Sequence, residues 1–291
     1  MTDAPPTTEV AATELGAVEH LDHGVGDPVL FVHGSPGGAD QGALMTAFLA
    51  PAGFRVIALS RPGYLGTPLD DDRATPDQQA ALELALLDHL GIDRFAVLCW
   101  SGGGPSSYRL AAQHADRVTA LACLAGVSGP YEFPSGLAGL EESILTSGFG
   151  RWMMEELVRH APKSVVKMVP AEEGDLTKEQ AAELADQIWN DPVKRDFVLT
   201  LSGTVTGRRA GLKNDAAQFP TLDLDLASVA VPTLLVHGTV DTDVPPEHSE
   251  RALAEIPGAE ILRVTNGTHV CAWTDPTSDE IHARVIDHLG R

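Results

Sequence analysis

The fold is decided by one stretch of the chain, residues 95–106, which reads FAVLCWSGGGPS. Its first half, Phe95–Trp100, is a short apolar run typical of a buried strand, and a helical pattern follows the glycines. Ser101 lies in the tight turn between the two. A serine in such a turn requires small neighbours two residues away on either side, which gives the pattern G-x-S-x-G. Here Cys99 replaces the first glycine and Gly103 keeps the second.

Outward from this stretch, short apolar runs alternate with helical patterns along most of the chain. This alternation predicts right-handed βαβ units and an α/β fold with a mostly parallel sheet flanked by helices. A helix start at Thr75-Pro76 and a stop at Gly91 support the interpretation. The predicted strands are 29–33, 55–59, 95–100, 118–124, 233–237 and 260–264. The predicted helices of this part are 41–49, 75–90, 101–114, 246–256 and 278–289.

The alternation stops between about residues 129 and 229, where no strand-like run occurs. Amphipathic segments dominate there instead, over residues 144–160, 178–189 and 192–203. Because this part lies between two predicted core strands, we expect a helical cap over the carboxyl edge of the sheet, where ligands bind in open α/β folds. The sequence therefore predicts a core of residues 1–128 and 229–291 and an inserted cap of residues 129–228.

Three further loops follow predicted strands and carry residue types suited to hydrolysis. The loop His33–Gly38 reads HGSPGG, and its glycines let the backbone approach a substrate closely. Asp241 follows a second strand, with Asp243 as the reserve acid, and His269 precedes the last helix. A serine nucleophile needs a base that takes its proton and an acid that orients the base. We predict Ser101 as nucleophile, His269 as base and Asp241 as acid.

The same loops offer an oxyanion hole and substrate contacts. An oxyanion hole consists of preorganised N–H donors, each worth roughly 10²–10³ in rate. The backbone N–H groups of Ser35 and Gly102 are the predicted pair. Gly34 and Trp100 beside them, with Trp152 of the inserted segment, are the predicted substrate-binding residues.

Taken together, the HG-x-PG loop and the order Ser, Asp, His resemble the α/β-hydrolase fold family from about Leu15 to the C-terminus. The resemblance implies that Ser101 attacks the substrate and that His269 takes its proton. It further implies a tetrahedral intermediate and an acyl-enzyme that water hydrolyses, with no metal and no organic cofactor. An aspartate at this turn marks the epoxide hydrolases and haloalkane dehalogenases of the family, so Ser101 favours acyl transfer.

The reaction expected from the resemblance is hydrolysis of an ester or related acyl bond of a small, partly apolar substrate. The same triad would also serve a cofactor-free perhydrolase, a hydrolase of carbon–carbon bonds or a proline iminopeptidase. An iminopeptidase needs acidic groups for the free amine of its substrate, and the inserted segment could supply Glu155, Glu156 or Asp215. Specificity depends on the cap and on loop geometry, so the sequence leaves these reactions open.

Other side chains of the inserted segment are candidates for substrate contact. Six apolar residues at helical spacing could line an acyl pocket or pack against the core: Phe149, Trp152, Met153, Leu157, Phe197 and Leu201. Two cations, Arg208 and Arg209, could hold a substrate carboxylate or lie at the surface.

Two alternatives come from other classes of protein. A nucleotide-binding oxidoreductase would need a G-x-G-x-x-G loop, and Ser107 or a neighbour stands where its last glycine belongs. A ligand-binding protein on the same fold would be free to lose the triad. Because serine, aspartate and histidine are all present, an enzyme is favoured.

Composition excludes further functions. The 41 acidic and 20 basic residues give a net charge of −21, which repels nucleic-acid phosphates and anionic membranes. The longest apolar runs are far shorter than the roughly 18 residues that span a bilayer. Because no Lys or Arg precedes Arg55, a secretory signal is not indicated and we expect a cytoplasmic protein. Residues 1 to about 10 are expected to be a frayed terminus.

The three cysteines, Cys99, Cys123 and Cys271, form no C-x-x-C pair. Their spacing fits neither a disulfide framework nor a thiolate metal site, so buried, reduced thiols are expected. Cys99 and Cys271 each lie two positions from a predicted triad residue, and the two side chains could approach each other.

Overall fold

The sheet is the element that positions the rest of the molecule. The computed structural model of the protein describes residues 7–133, 148–204 and 208–291, with the side chains of residues 148–151 excepted. Its strands are β1 (Glu9–Thr13), β2 (Gly16–Gly24), β3 (Asp27–Val32), β4 (Phe54–Leu59), β5 (Phe95–Trp100), β6 (Val118–Leu124), β7 (Thr233–Gly238) and β8 (Glu260–Val264). Within these ranges the eight strands form one sheet in the order β1-β2-β4-β3-β5-β6-β7-β8.

The strands from β3 to β8 run parallel to one another. Every residue of β5 and β7 is buried, as expected for strands covered by helices on both faces. The helices are α1 (Gly42–Met45), α2 (Pro76–His89), α3 (Gly104–Gln113), α4 (Gly148–His160), α5 (Pro162–Glu172), α6 (Lys178–Asn190), α7 (Pro192–Gly203), α8 (Arg209–Gln218), α9 (Glu247–Glu255), α10 (Cys271–Thr274) and α11 (Ser278–Leu289). The predicted α/β fold with a mostly parallel sheet is confirmed.

Two features of the N-terminal part differ from the sequence prediction. Residues 9 and 10, expected in a frayed terminus, belong to β1, which pairs antiparallel with β2. Polar residues such as Glu19 and Asp22 interrupt the apolar pattern of β2, which hides it from sequence analysis. The predicted helix 41–49 shortens to α1, which ends after one turn where the backbone of Thr46 leaves the helical conformation.

The core consists of two apolar layers, one on each face of the sheet. Successive residues of a strand point to opposite faces, so Val97 and Cys99 pack in one layer, with α2 and α3, and Leu98 in the other. Cys99 lies beside Cys123 in the first layer, whereas Cys271 packs in the second. Cys99 and Cys271 therefore do not approach each other, because the sheet separates the two side chains.

The helices α4 to α8, called the inserted helices below, lie in the chain between β6 and β7. Helices α6 and α7 match predicted segments, and α4 matches the second part of 144–160; residues 144–147 lie outside the described ranges. Helices α5 and α8 were not predicted, and α5 contains an internal proline, Pro170, that weakens its helical signal. In the described part of the chain, no helix is long and apolar enough to cross a membrane.

Candidate active site

Ser101 occupies the turn between β5 and α3 in a strained backbone conformation. Its φ is 53°, in the left-handed region that side chains other than glycine rarely adopt, and such strain costs on the order of 1–3 kcal/mol. A side chain at Gly103 would lie 2.4 Å from the Val32 carbonyl oxygen, which explains the glycine there. Cys99 is accommodated in place of the first glycine because its side chain points into the core.

Three loops at the carboxyl ends of β5, β7 and β8 bring together Ser101, Asp241 and His269. The Ser101 Oγ lies 2.9 Å from His269 Nε2, and His269 Nδ1 lies 2.8 Å from Asp241 Oδ2. All three side chains are buried. Parallel strands end at the same edge of a sheet, so the fold itself assembles this chain of hydrogen bonds from distant parts of the sequence.

The carboxylate of Asp241 is fixed by groups on both of its oxygens. Oδ1 accepts from the backbone N–H groups of Asp243 and Val244, at 2.9 and 3.0 Å. Oδ2 faces His269 and lies 3.1 Å from His237 Nε2. Burial opposes ionisation, but the contacts with the two histidines outweigh it and lower the pKa of Asp241 to about 2. Asp241, and not the reserve Asp243, is thus the acid in contact with His269.

The electrostatics of His269 follow from this carboxylate. Burial by itself lowers the pKa of His269, yet the charge and hydrogen bond of Asp241 overcome it and raise the pKa to about 9. The protonated ring is therefore stabilised where it stands. This is the state that a base reaches after taking a proton from a serine.

The residues predicted as an oxyanion hole lie side by side next to Ser101. Gly102 stands in the first turn after β5, where a backbone N–H has no partner within the helix. A Cβ at Gly102 would lie 2.1 Å from Ser35 Oγ and 3.3 Å from the Ser35 backbone nitrogen, so glycine is needed for this close approach. Gly34 packs behind them, since a Cβ there would lie 2.9 Å from the Ser101 Cβ.

A buried ion pair that sequence analysis missed holds the loop of Ser35. Arg61, just after β4, donates to the two oxygens of Asp215 on α8 at 3.0 and 2.7 Å, and each side chain is only about 1% exposed. Asp215 Oδ2 also accepts from the hydroxyl groups of Ser35 and Tyr64, both at 2.5 Å. Arg61 further donates to the carbonyls of His33 and Gly34. Asp215 is therefore occupied and does not supply the amine-binding carboxylate considered above.

A cavity of about 290 Å³ opens above Ser101 and His269. Ser35, Gly102 and Trp100 line it as well. Of the apolar residues proposed for its wall, Phe197 and Leu201 line it, Leu157 does not, and Phe149 lies outside the described side chains.

Other residues of the inserted helices are placed differently from the prediction. Trp152 and Met153 do not line the cavity; they are 56% and 43% exposed because this face of α4 turns outward. Trp152 is thus not in position to bind substrate there. Arg208 is buried with its guanidinium on the Asp40 carboxylate, and Arg209 is exposed, so neither reaches the cavity. The residues that the structure describes include no cluster of three or more His, Cys, Asp or Glu suited to a metal ion.

Comparison with known proteins identifies similar sequences that are hydrolases. The sequence profile of the alpha/beta hydrolase family matches residues 29–281. A hydrolase 2 of Pseudomonas putida, named for 2-hydroxy-6-oxononadienedioate and 2-hydroxy-6-oxononatrienedioate, is 29% identical over 271 residues, which cover 90% of this chain and 87% of that protein.

Solved structures share the same architecture. An alpha/beta hydrolase fold protein from Nakamurella multipartita superposes with a TM-score of 0.92 and 45% identity, covering 97% of this chain and 99% of that one. The enol-lactonase from Burkholderia xenovorans superposes with a TM-score of 0.68 at 19% identity, covering 97% and 100%. The second likeness concerns the fold alone.

The buried ion pair predicts a large stability effect. Asp215→Asn leaves the Arg61 guanidinium buried without its counter-charge, and we expect the free energy of unfolding in urea to fall by about 3–5 kcal/mol. The control is Asp77→Asn. The Asp77 carboxylate is half exposed and forms an ion pair with Arg109, so its removal should change the free energy of unfolding by less than about 1 kcal/mol. Equal effects of the two substitutions would contradict the role given to Asp215.

Proposed function

Since the chain belongs to the alpha/beta hydrolase family, we propose that it is a serine hydrolase that cleaves an ester or related acyl bond of a small, partly apolar substrate. The observation that carries the proposal is the unbroken chain of hydrogen-bond contacts from Ser101 through His269 to Asp241, beside a cavity. Nucleophilic acyl transfer needs this order of groups at this range of distances.

The proposed reaction begins when Ser101 Oγ attacks the acyl carbon and its proton passes to His269 Nε2. Asp241 stabilises the resulting imidazolium, which the raised pKa of His269 reflects. The backbone N–H groups of Ser35 and Gly102 donate to the oxyanion, each worth roughly 10²–10³ in rate. His269 then protonates the leaving group, and a water molecule, deprotonated by the same ring, releases the acyl group from Ser101.

The inserted helices have a defined place in this proposal. Phe197, Leu201 and Leu212 come from these helices and line the same cavity as Ser101 and His269. We assign residues 129–228 to a cap and residues 1–128 and 229–291 to the hydrolase core. In this arrangement the core carries the reacting groups and the cap surrounds the apolar part of the substrate.

A second candidate is hydrolysis of a carbon–carbon bond, favoured by the name of the Pseudomonas putida relative. The same serine would attack a ketone carbon, and the leaving group would be a carbanion that takes a proton. The two reactions share the triad and differ in the bond that breaks. They are distinguished by offering the enzyme a 2-hydroxy-6-oxodienoic acid beside simple esters.

Removal of the Ser101 hydroxyl tests the proposed nucleophile. Ser101→Ala removes the nucleophile, and we expect kcat for p-nitrophenyl esters of short acids to fall by about 10⁴-fold or more. Ser228→Ala is the matched control, because Ser228 is exposed and its hydroxyl donates to Asp225 on the protein surface; the kcat of this variant should be unchanged. A folded Ser101→Ala protein with the wild-type kcat would refute the proposal.

The proposed base also fixes how activity depends on pH. His269 acts as a base only when deprotonated, and its pKa is raised above the ordinary 6.5 towards about 9, so kcat/KM should increase as pH rises through this range. Asp241→Asn removes the charge that raises the pKa, so the residual activity should reach its plateau at lower pH. The measurement is the pH profile of both proteins. A wild-type kcat/KM that no longer increases above pH 6 would contradict the raised pKa of His269.

A further inference from the structure

The polar part of the cavity wall is rich in carboxyl groups. Three carboxyl side chains line it: Glu172, Glu173 and Asp243. No Lys or Arg of the described ranges lines it, and the buried Arg61 and Arg208 are each bound to a carboxylate outside the wall. A negatively charged group entering the cavity would therefore lie against these carboxyl groups, and among the described lining residues only His269 of the triad carries a positive charge when protonated.

Glu173 is the carboxyl group best placed to touch a substrate. Its backbone carbonyl accepts from the His269 N–H at 3.1 Å, and the next residue, Gly174, pairs with Asp241. The Glu173 side chain thus emerges directly beside the triad. Its Oε2 is buried, and across the described residues it has no hydrogen-bond partner.

A buried carboxyl oxygen without a partner costs free energy, and most native structures avoid it. Burial, with Asp243 and Asp241 nearby, raises the pKa of Glu173 to about 8, although the His269 ring acts in the opposite direction. A donor group placed against Oε2 would satisfy the oxygen, and a positively charged donor would also favour the ionised form. The Oε2 atom of Glu173 is therefore an acceptor that a cationic ligand would satisfy.

We infer that the cavity selects substrates with a positively charged amine, which Glu173 binds, and rejects substrates with a carboxylate in that position. The inference rests on the proposed function, because it names the class of substrate for the same site. The remainder of the wall is largely apolar, with Phe197, Leu201 and Val169 among its residues, which fits a hydrocarbon chain between the amine and the acyl group. Glu173 is a specificity-determining residue in this account.

The inference separates this chain from its relative. The name of the Pseudomonas putida hydrolase describes a dioate, a substrate with two carboxylates. A dianion of that kind meets no Lys or Arg in the described wall of this cavity and would lie against the carboxyl groups of Glu172, Glu173 and Asp243. Similarity of sequence to this relative therefore does not imply the same substrate.

The test uses three p-nitrophenyl esters of matched length. They are the esters of 6-aminohexanoic acid, heptanoic acid and adipic acid, which end in a cation, a neutral group and an anion. At pH 8 we expect kcat/KM for the cationic ester to exceed that for the anionic ester by about 100-fold or more. Glu173→Gln should reduce this ratio by about 10- to 100-fold, whereas Glu183→Gln, an exposed carboxylate on α6, should leave it unchanged.

Calorimetry tests the same inference without turnover. Hexylamine should bind the wild-type protein and bind at least tenfold more weakly to Glu173→Gln, and hexanoate should not bind either protein. Equal kcat/KM for the cationic and anionic esters, or equal binding of the two ligands, would overturn the inference while leaving the serine mechanism intact. If the proposed function is wrong, the result is different: no ester is hydrolysed through Ser101, although hexylamine still binds.

Discussion

The hydrogen bond between the Ser101 hydroxyl and His269 Nε2 joins groups that are 168 residues apart in the chain, and the rest of the site depends on it. It can form because β5 and β8 run parallel in one sheet and therefore end at the same edge. The left-handed backbone of Ser101 is the local cost of aiming the hydroxyl at the ring. The close packing of Gly103 on the end of β3 helps to hold that backbone in place.

Buried charge then determines what the site can do. Asp241 is kept ionised by His269 and His237, and its negative charge stabilises a protonated His269. A second buried carboxylate, Asp215, is balanced by Arg61 and ties the loop of Ser35 to α8. Asp241 thus stabilises a positive charge on His269, whereas Asp215 fixes the position of the Ser35 loop. Glu173 differs from both because one of its oxygens has no partner among the described residues, which leaves it available to a substrate.

Sequence analysis predicted the elements whose signals are local. Apolar runs marked β3 to β8, and the Thr75-Pro76 pair marked the start of α2. Ser101, Asp241 and His269 each lie in a loop that follows a strand. The ion pair of Arg61 and Asp215 could not be predicted in this way, because its partners lie 154 residues apart and neither belongs to a motif. Trp152 was predicted to bind substrate because it lies on an apolar helix face. Helical spacing identifies such a face but does not show whether it points towards the cavity or towards solvent in the folded protein. Glu173 was missed because it lies just beyond the end of α5, a helix that the sequence does not reveal.

The most direct test of the account is the covalent labelling of the folded protein with diisopropyl fluorophosphate, followed by digestion and mass spectrometry of the peptides. The account requires one phosphoryl adduct per chain, located on Ser101, and no adduct after His269→Ala, because the hydroxyl is activated only by that ring. An adduct on another serine, or a protein that stays unlabelled under conditions that label a known serine hydrolase, would contradict the assignment of Ser101 as nucleophile.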